Sequence, residues 1–574
     1  MGLSYASFLL GLVDSATVQP PQDLQWRNNR YALYLQDTWR VSSKLTLDYG
    51  IRWDLQGEGH EIWNRDSMFG PTIPNPSAGN LPGGFVYEGY GPGRCNCSFA
   101  NEYPYAVGPR VGFAYHLTPK TVVRGGWGVV YAALAPFNSF TSSSTVGLGY
   151  NQLQFPSPSY GVPAVNLSAG LQYNESALYL ASLSPGARPN PGTVGSINYF
   201  IDPNADRPGR TNTFSVNLQR EVNKDLVVEA AYVGNRAIWI IGATGLVNLN
   251  TTPVSTLTAH GLNIASPASE AILTSTLSSP TAIAAGFTAP YAGYPLSQTV
   301  AQSLRPFPQF SGGINPMWAP LGNSWYDSLQ AKITKRYSYG LTLTSAFTFS
   351  KELATGQAVN DVFNRANQKS LVGSSQPFLW VTAFVYQLYD WVPHVTQNKW
   401  ADKVWKGWKL GGIMRYSSGL PISVPGSQND MNSLVYQGTR MNRVPGVPLF
   451  LTNLNCHCID PYHDLTLNPK AWQDVPNGTW GFSAPYYNDY RYERFPSENL
   501  NLARVWRRES FSLEFRGEFY NVFNRLQLPN PSAGNPLATT TYNSAGQLTG
   551  GFGYINPSGV GGERTGQFVI RIKF

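Results

Sequence analysis

The chain has 574 residues, a formal net charge of +8, 13% charged residues and 13% aromatic residues. The positive charges are spread along the chain without a run of Lys or Arg, which argues against both nucleic acid and anionic lipid as a partner. The charged fraction is about half that of an ordinary soluble domain. No stretch reaches the roughly eighteen consecutive apolar residues that a spanning helix needs. If the protein enters a membrane, it must therefore do so with strands.

The first residues do not form a convincing secretion signal. Met1 to Val13 has an apolar centre but neither a basic start nor a small-residue cleavage site. An exported protein needs such a signal. We therefore expect Met1 not to be the natural start and the chain to be the C-terminal part of a longer protein.

Alternation of apolar and charged residues is the main signal that follows along the chain. In Lys44 to Asp54, Leu45, Leu47 and Tyr49 alternate with charged residues such as Asp48, as the two faces of one strand require. The same pattern recurs to the end of the chain. It predicts strands at 31–41, 44–54, 106–117, 120–131, 211–221, 225–235, 325–336, 340–351, 377–389, 406–417, 498–507, 510–523 and 566–574.

One residue breaks the pattern. Asp37 falls on the same face as Leu33, Leu35 and Trp39. A charge in the middle of a bilayer on a lipid-facing surface costs up to a few kcal/mol. We therefore expect Asp37 to lie near the rim of the membrane.

The connections between strands are of two kinds. Very short links, such as Thr118 to Lys120 and Tyr337 to Gly340, alternate with long stretches rich in Gly, Pro, Asn and Ser. The long stretches are 55–105, 132–210, 236–324, 418–497 and 524–565. Short turns on one side and long loops on the other are typical of outer-membrane barrels, with the turns in the periplasm and the loops outside. Within 236–324 a short helix is as plausible as a loop.

The last strand supports the same interpretation. Alternation alone does not separate a soluble sandwich from a membrane barrel, but here the chain stops on an aromatic residue without a polar tail. Outer-membrane barrels end in this way, and we expect the barrel-assembly machinery to act on this strand through its apolar side chains Phe568, Ile570, Ile572 and Phe574. The predicted fold is an all-β, antiparallel transmembrane β-barrel with short periplasmic turns and long extracellular loops.

Four cysteines form two close pairs within predicted extracellular loops. Cys95 and Cys97 are separated by one residue, as are Cys456 and Cys458. Zinc sites usually have two or more residues between cysteines, so disulfides are favoured over a metal or free thiols. If the pairs link across, they tie the two loops together.

Other motifs of chemistry are weak. His60 and Glu61 match the first two positions of the H-E-x-x-H motif of zinc proteases, but the fifth position is Asn64 instead of His. The sequence contains no nucleophile elbow and no phosphate-binding loop of the known patterns. We therefore expect neither an enzyme nor a cofactor or metal.

Tyrosines cluster in two predicted loops. They can stack on sugar rings or planar ligands, or they can anchor at lipid headgroups and pack the loops together, which is the favoured alternative. The candidate ligand contacts are Tyr87, Tyr90, Tyr486 and Tyr487; their neighbours are Tyr103, Tyr105, Tyr490 and Tyr492.

Three blocks of sequence resemble TonB-dependent receptors, in particular the Oar-like group. They are Tyr31 to Asp54 (YALYLQDTWRVSSKLTLDYGIRWD), Gly407 to Val424 (GWKLGGIMRYSSGLPISV), and Phe515 to Arg525 (FRGEFYNVFNR) with the terminal Phe574. The resemblance implies a barrel of 22 strands, of which this chain would supply about 13 to 14. The resemblance also implies a signal peptide, a plug, a TonB box and earlier strands before Tyr31, for which we find no counterpart here.

The resemblance implies a function in the cell outer membrane. The expected activity is uptake of an unidentified solute, driven by the TonB complex through an N-terminal part that this sequence lacks. The alternative is a structural or adhesive surface protein that displays long loops on the same barrel. A secreted all-β enzyme such as a propeller would show repeats at even spacing, and the uneven loop lengths disfavour it.

Overall fold

A computed structural model gives the fold of the chain. The structure describes residues 4–18, 26–57, 60–61, 67–133, 153–157, 162–173, 183–186, 189, 192–195, 199–241, 244–356, 358–388 and 406–574. Asn64, the fifth position of the zinc-protease-like motif, lies outside the described residues, whereas His60 and Glu61 form a short strand.

Thirteen long strands form one antiparallel sheet, which we call the wall. Strands that follow one another among these thirteen are hydrogen-bonded to each other, so the order in the sheet is the order in the sequence. The strands are β1 Arg30–Arg40, β2 Leu45–Gln56, β3 Ala106–Thr118, β4 Thr121–Tyr131, β5 Arg210–Asn223, β6 Leu226–Ile240, β7 Gly322–Ser338, β8 Leu341–Thr355, β9 Phe378–Gln387, β10 Trp408–Ser417, β11 Phe495–Arg508, β12 Phe511–Tyr520 and β13 Thr565–Lys573.

All thirteen predicted strands are present. The largest displacement is at the end of β6, predicted at residue 235 and found at Ile240. The extra length has a partner, because Arg236 and Ile238 pair with Trp325 and Asn323 at the start of β7. A fourteenth strand of the sheet, Lys369–Leu371, is short and pairs with the end of β8.

Cross-strand register keeps the two kinds of side chain on opposite faces. Leu47 lies opposite Phe113, Leu513 opposite Ile572 and Phe515 opposite Ile570, so these side chains share one face, which we call the apolar face. The charged partners of the alternation share the other face, which we call the polar face. The faces run without interruption from β1 to β13, because directly opposed residues in a sheet project to the same side.

The two outermost strands have one neighbour each among the described residues. β1 pairs with β2 and β13 pairs with β12. Every residue of β1 is exposed, as is every residue of β13 except one. The wall therefore ends in two open edges whose outer backbone groups face away from the sheet.

The segment before β1 and the long connections contain smaller elements. The helices are α1 Ser4–Leu9, α2 Val254–Ala259, α3 Pro267–Thr274, α4 Pro280–Ala284, α5 Val300–Ser303 and α6 Met431–Leu434, and the 3-10 turns are Pro76–Ala78, Thr244–Leu246, Arg365–Gln368, Pro469–Ala471 and Pro557–Gly559. Four helices thus lie among the described residues of the stretch 236–324, for which the sequence leaves helix and loop open. No helix of the described residues is long and apolar enough to cross a membrane.

Short strands complete the connections in pairs. The antiparallel pairs are Leu12–Val13 with Val165–Asn166, Ser15–Val18 with Leu153–Pro156, Trp26–Arg27 with His60–Glu61, Ser67–Asn75 with Leu81–Tyr87, Pro421–Ser423 with Tyr486–Arg491, Asn442–Arg443 with Trp472–Gln473, and Thr541–Tyr542 with Leu548–Gly550; Tyr199–Ile201 pairs in parallel with Asn315–Met317. These pairs belong to what we call the loop assembly, the described residues of the long connections together with those of the segment before β1. The buried hydrophobic clusters lie there rather than in the wall.

Candidate functional site: the wall and the loop assembly

The polar face of the wall carries charges that pair with one another. Arg516 Nε lies 3.1 Å from Glu518 Oε1 on β12, and Lys332 Nζ lies 3.8 Å from Glu229 Oε1 across β6 and β7. Arg52 and Asp54 form a third pair at 2.8 Å on β2. Because these charges are balanced locally, this face can border water without a large uncompensated charge.

The apolar face carries a continuous row of aromatic contacts near the C-terminus. The rings of Phe515 and Phe568 stack with centroids 6.0 Å apart, and Phe519 meets Phe568 edge-on at 6.1 Å. The side chains of the last strand nevertheless stay exposed, with Phe568 at 71% and Ile570 at 67%. Ile572 is exposed as well, and Phe574 lies just beyond the end of β13. Exposure on this scale across one face indicates contact with lipid.

Asp37 lies three residues before the end of β1, at the short turn to β2. Its Oδ2 accepts a hydrogen bond of 2.8 Å from the Tyr49 hydroxyl, and its Oδ1 accepts one from the Thr38 N–H. The carboxylate on the apolar face is thus hydrogen-bonded and close to the periplasmic rim, where a charge costs little.

The two cysteine pairs close within themselves. The sulfur atoms of Cys95 and Cys97 are 2.04 Å apart, and those of Cys456 and Cys458 are 2.10 Å apart. Of the two pairings that the sequence leaves open, the structure therefore has the local one, and the bridges do not tie the two loops together. Local closure requires a tight bend, and the residue between each pair, Asn96 or His457, has a left-handed backbone with φ of 55° or 54°.

The tyrosines near residue 90 have different environments. Tyr87 is buried against Phe69 and Phe310, and its hydroxyl donates to the Ser184 carbonyl at 2.9 Å. Burial raises the pKa of Tyr87 to about 12. Tyr90, three residues on, is 76% exposed. Of these two candidate ligand contacts, Tyr90 alone presents its ring to the surroundings; its role in binding stays a prediction.

The second group of tyrosines lies mostly in the packing of the loop assembly. Tyr490 is fully buried, and Tyr487 lies beneath the Arg443 guanidinium, which is 5.0 Å from its ring centroid. Tyr486 begins the short strand that pairs with Pro421–Ser423. Tyr492 is the member of the group that lines a cavity. The role of Tyr486 and Tyr487 in ligand binding also stays a prediction.

A cavity of about 890 Å³ lies between the wall and the loop assembly. Its wall side is formed by Phe378, Trp380 and Tyr416. These residues belong to the apolar face, because Phe349 lies opposite Phe378 and Trp380 lies opposite Tyr416. The loop residues that cover it include Leu454, His457, Arg491, Glu493 and Arg494. The loop assembly therefore overhangs the apolar face at its extracellular rim.

Charged groups in the cavity are partly withdrawn from water. Arg491 Nη1 donates to the carbonyls of Ser375 and Gly419 at 2.6 and 3.0 Å, and burial lowers the pKa of Arg491. Burial raises the pKa of Glu493, although its Oε1 is 3.8 Å from His457 Nδ1. An aromatic wall beside the half-buried Arg491 can hold an amphipathic molecule with an anionic group.

Sequence reasoning missed the aromatic side of this cavity. The sequence predicts Phe378, Trp380 and Tyr416 as strand residues only, and most of the residues that cover them, from Phe450 onward, lie more than thirty positions beyond Tyr416. The available signal was their position at the extracellular ends of β9 and β10. No cluster of three or more His, Cys, Asp or Glu side chains suited to a metal occurs among the described residues.

Comparison with known proteins identifies the family. Residues 2–567 match the family model for an outer membrane beta barrel domain. The chain belongs to this family. The family is located in the outer membrane, which agrees with the predicted location and fold class, and the short turns of the wall are therefore its periplasmic side. No curated protein sequence matches the chain.

Several solved structures are similar to this barrel-domain chain. The ferripyoverdine receptor of the Pseudomonas aeruginosa outer membrane has 9% identity and a TM-score of 0.40, with 97% of this chain and 40% of that one covered. The ferric-catecholate import receptor Fiu of Escherichia coli K12 has 11% identity, a TM-score of 0.38 and coverage of 96% and 45%. The siderophore receptor PirA of Acinetobacter baumannii has 7% identity and a TM-score of 0.38, with 95% of this chain and 46% of that one covered. The chain thus spans less than half the length of these structures.

Proposed function

We propose that this chain is the wall of an outer-membrane receptor that imports a solute with energy from the TonB complex. The observation that carries the proposal is the separation of the two faces over thirteen strands, with paired charges on the polar face and exposed aromatic residues on the other. A polar face of this kind suits a water-filled bore. The three sequence blocks that resemble TonB-dependent receptors lie on β1 and β2, on β10, and on β12 and its following turn.

A bore requires a closed wall, so we also propose that further strands pair with β1 and β13. About half of the backbone groups of each edge strand point outward, roughly ten N–H and C=O groups per edge. In hydrocarbon each unpaired group costs several kcal/mol, and the sum of tens of kcal/mol exceeds the stability of an ordinary domain. Twenty-two strands in total is the number that the resemblance implies.

Refolding tests the closure. These 574 residues, refolded in detergent, should give a species that protease degrades and that loses its structure on mild heating. A heat-resistant and protease-resistant monomer would contradict the need for further strands.

Uptake by intact cells tests the transport function. Cells with and without the gene are grown in a defined mixture of solutes, and the loss of each solute from the medium is measured with and without a protonophore. We expect at least one solute whose depletion needs both the protein and the proton gradient. If deletion changes attachment to surfaces but the depletion of no solute, the protein is a surface-display barrel instead.

A further inference from the structure

A group of three cations lies around β7 on the apolar face at its extracellular rim. They are Arg236 at the end of β6, Lys351 at the end of β8, and Lys369 on the short strand beside β8. Register assigns them to this face, because Arg236 lies opposite Trp325, Lys351 opposite Asp327 and Lys369 opposite Thr355. We call these three residues with Asp327 the rim cluster. A further cation of this face, Arg210, begins β5, and its guanidinium lies over the ring of Trp239.

The rim cluster carries more positive than negative charge. Asp327 accepts hydrogen bonds from Arg236 Nη2 at 2.9 and 3.0 Å and one from the Tyr232 hydroxyl. Lys369 Nζ lies 3.8 Å above the ring centroid of Trp325. Three positive charges against one carboxylate leave an excess of two. These hydrogen bonds from Arg236 to Asp327 hold the guanidinium in a fixed position at the rim.

The height of the rim cluster places it at the membrane surface. Lys351 is ten residues beyond Leu341, where β8 begins at the periplasmic turn. A tilted strand rises about 2.5 Å per residue, so Lys351 lies about 25 Å above the turn, which is the height of the apolar band of such barrels. Below Lys351 the same face carries Phe347 and Phe349. The cations therefore meet the headgroup layer of the outer leaflet.

The rim cluster is local rather than a general belt. At the extracellular ends of β1, β2 and β3 the apolar face carries Leu33, Trp53 and Val107 instead. The cluster also adjoins the cavity described above, because Phe349 contacts Phe378, a cavity residue, with ring centroids 5.1 Å apart. Cations with apolar surface directly below them suit a lipid whose headgroup is negatively charged.

We propose that the rim cluster binds the phosphate of an anionic lipid of the outer leaflet. Lys351 and Lys369 contact the phosphate, Arg236 is positioned for it by Asp327, and the aromatic row of β8 and β9 contacts the acyl chains. The cluster thereby fixes this side of the barrel to particular lipid molecules.

The experiment uses the full-length protein purified in detergent and titrated with diphosphorylated lipid A, with binding read by native mass spectrometry. The double variant Lys351→Gln/Lys369→Gln leaves the Arg236–Asp327 pair intact. Its affinity should fall by roughly thirtyfold, since each cation near an anionic headgroup contributes about fivefold. Dephosphorylated lipid A should bind the wild-type protein as weakly as phosphorylated lipid A binds this variant.

The matched control is Lys332→Gln/Lys409→Gln, which removes the same charge from the polar face. It should bind lipid A as the wild type does. Equal affinity of the wild type and the Lys351→Gln/Lys369→Gln variant would overturn the proposal, as would an equal loss in both double variants. Displacement of the lipid by millimolar inorganic phosphate would also overturn it, because the site would then select free anions rather than a lipid.

Discussion

Large hydrophobic side chains are exposed on the apolar face of the wall and buried in the loop assembly. In the wall they are exposed, as Phe568 and Ile570 are, at 71% and 67%. In the loop assembly the equivalent side chains, such as Leu257, Phe310 and Ile422, are fully buried. The difference shows that one chain is folded for two solvents. The wall needs lipid on its apolar face, whereas the loop assembly buries its apolar side chains away from water.

Removing a large ring from the loop assembly should have the largest effect. Phe310 is fully buried and contacts Phe69 and Phe85 edge-on, with centroids 5.8 and 6.4 Å away. Phe310→Ala should lower the free energy of unfolding of the loop assembly by about 3–5 kcal/mol, because it leaves a cavity as well as losing apolar contact. Limited proteolysis in increasing urea measures the change.

The control for this prediction is Phe482→Ala, since the Phe482 side chain is 78% exposed in the same region. Its effect should stay within about 0.5 kcal/mol. Equal destabilisation by the two variants would mean that the loop assembly is not held by its buried clusters.

A charge on the apolar face tests the other half of the comparison. Phe347 lies near the middle of β8 on the apolar face, and Thr348 is its neighbour on the polar face. Phe347→Arg should cost about 2–4 kcal/mol of folding free energy in a bilayer, because the guanidinium meets lipid tails. Thr348→Arg should cost far less, because that side faces water.

Urea titration of the full-length protein in phospholipid vesicles compares these two variants. A cost for Thr348→Arg as large as that for Phe347→Arg would show that the faces are assigned the wrong way round. The same pair in detergent micelles should show a smaller difference, since micelles adapt more readily to a charge.

The cysteine bridges give a smaller effect, confined to the loop assembly. A bridge that closes three residues should contribute only about 1.5 kcal/mol, whereas one that joined the two pairs would close several hundred residues and contribute about 6 kcal/mol. Reduction should therefore change the urea midpoint of the loop assembly only slightly. A non-reducing peptide map checks the pairing first, and a peptide that contains both Cys95 and Cys456 would contradict the local bridges.

The wall could be predicted because its signal is local. Alternation within about ten residues specifies a strand, and a short turn specifies its neighbour, so β1 and β2 follow from Tyr31 to Asp54 alone. Residues that pack across the loop assembly have no such signal. Gln309 Nε2 donates to the Pro82 carbonyl at 2.8 Å, although 227 positions separate them. No local pattern contains that contact.

The candidate site shows the same limit on a smaller scale. Tyr87 and Tyr90 belong to one tyrosine-rich stretch, yet Tyr87 is in a core and Tyr90 is exposed. Side-chain type specifies what each ring can do, but burial depends on distant partners such as Phe310. The rim cluster also depends on the register of β6, β7 and β8. This register brings Arg236 beside Asp327, although 91 positions separate them in the sequence.

The smallest expected effect concerns Glu493, at the boundary of the two regions. Burial in the cavity raises the pKa of this carboxyl above its ordinary value of 4.5, while the Leu528 N–H and His457 act in the opposite direction. A carboxyl whose pKa is raised by folding binds more protons in the folded state than in the unfolded state. The loop assembly should therefore lose stability as the pH rises from below the ordinary value through the raised one, and change little above it.

Glu493→Gln should remove this dependence on pH, because the amide keeps the size and an acceptor oxygen for the Leu528 N–H, 3.4 Å away, without ionising. At neutral pH the variant should resist proteolysis of the loop assembly at least as well as the wild type. Proteolysis rates with an acid-tolerant enzyme, between about pH 4 and pH 8, measure the slope. Glu509→Gln, in the short turn between β11 and β12, is the matched control and should show the same dependence of the proteolysis rate on pH as the wild type. If the slope persists in Glu493→Gln, it comes from another group, and Glu493 is not shielded from water by the loop assembly.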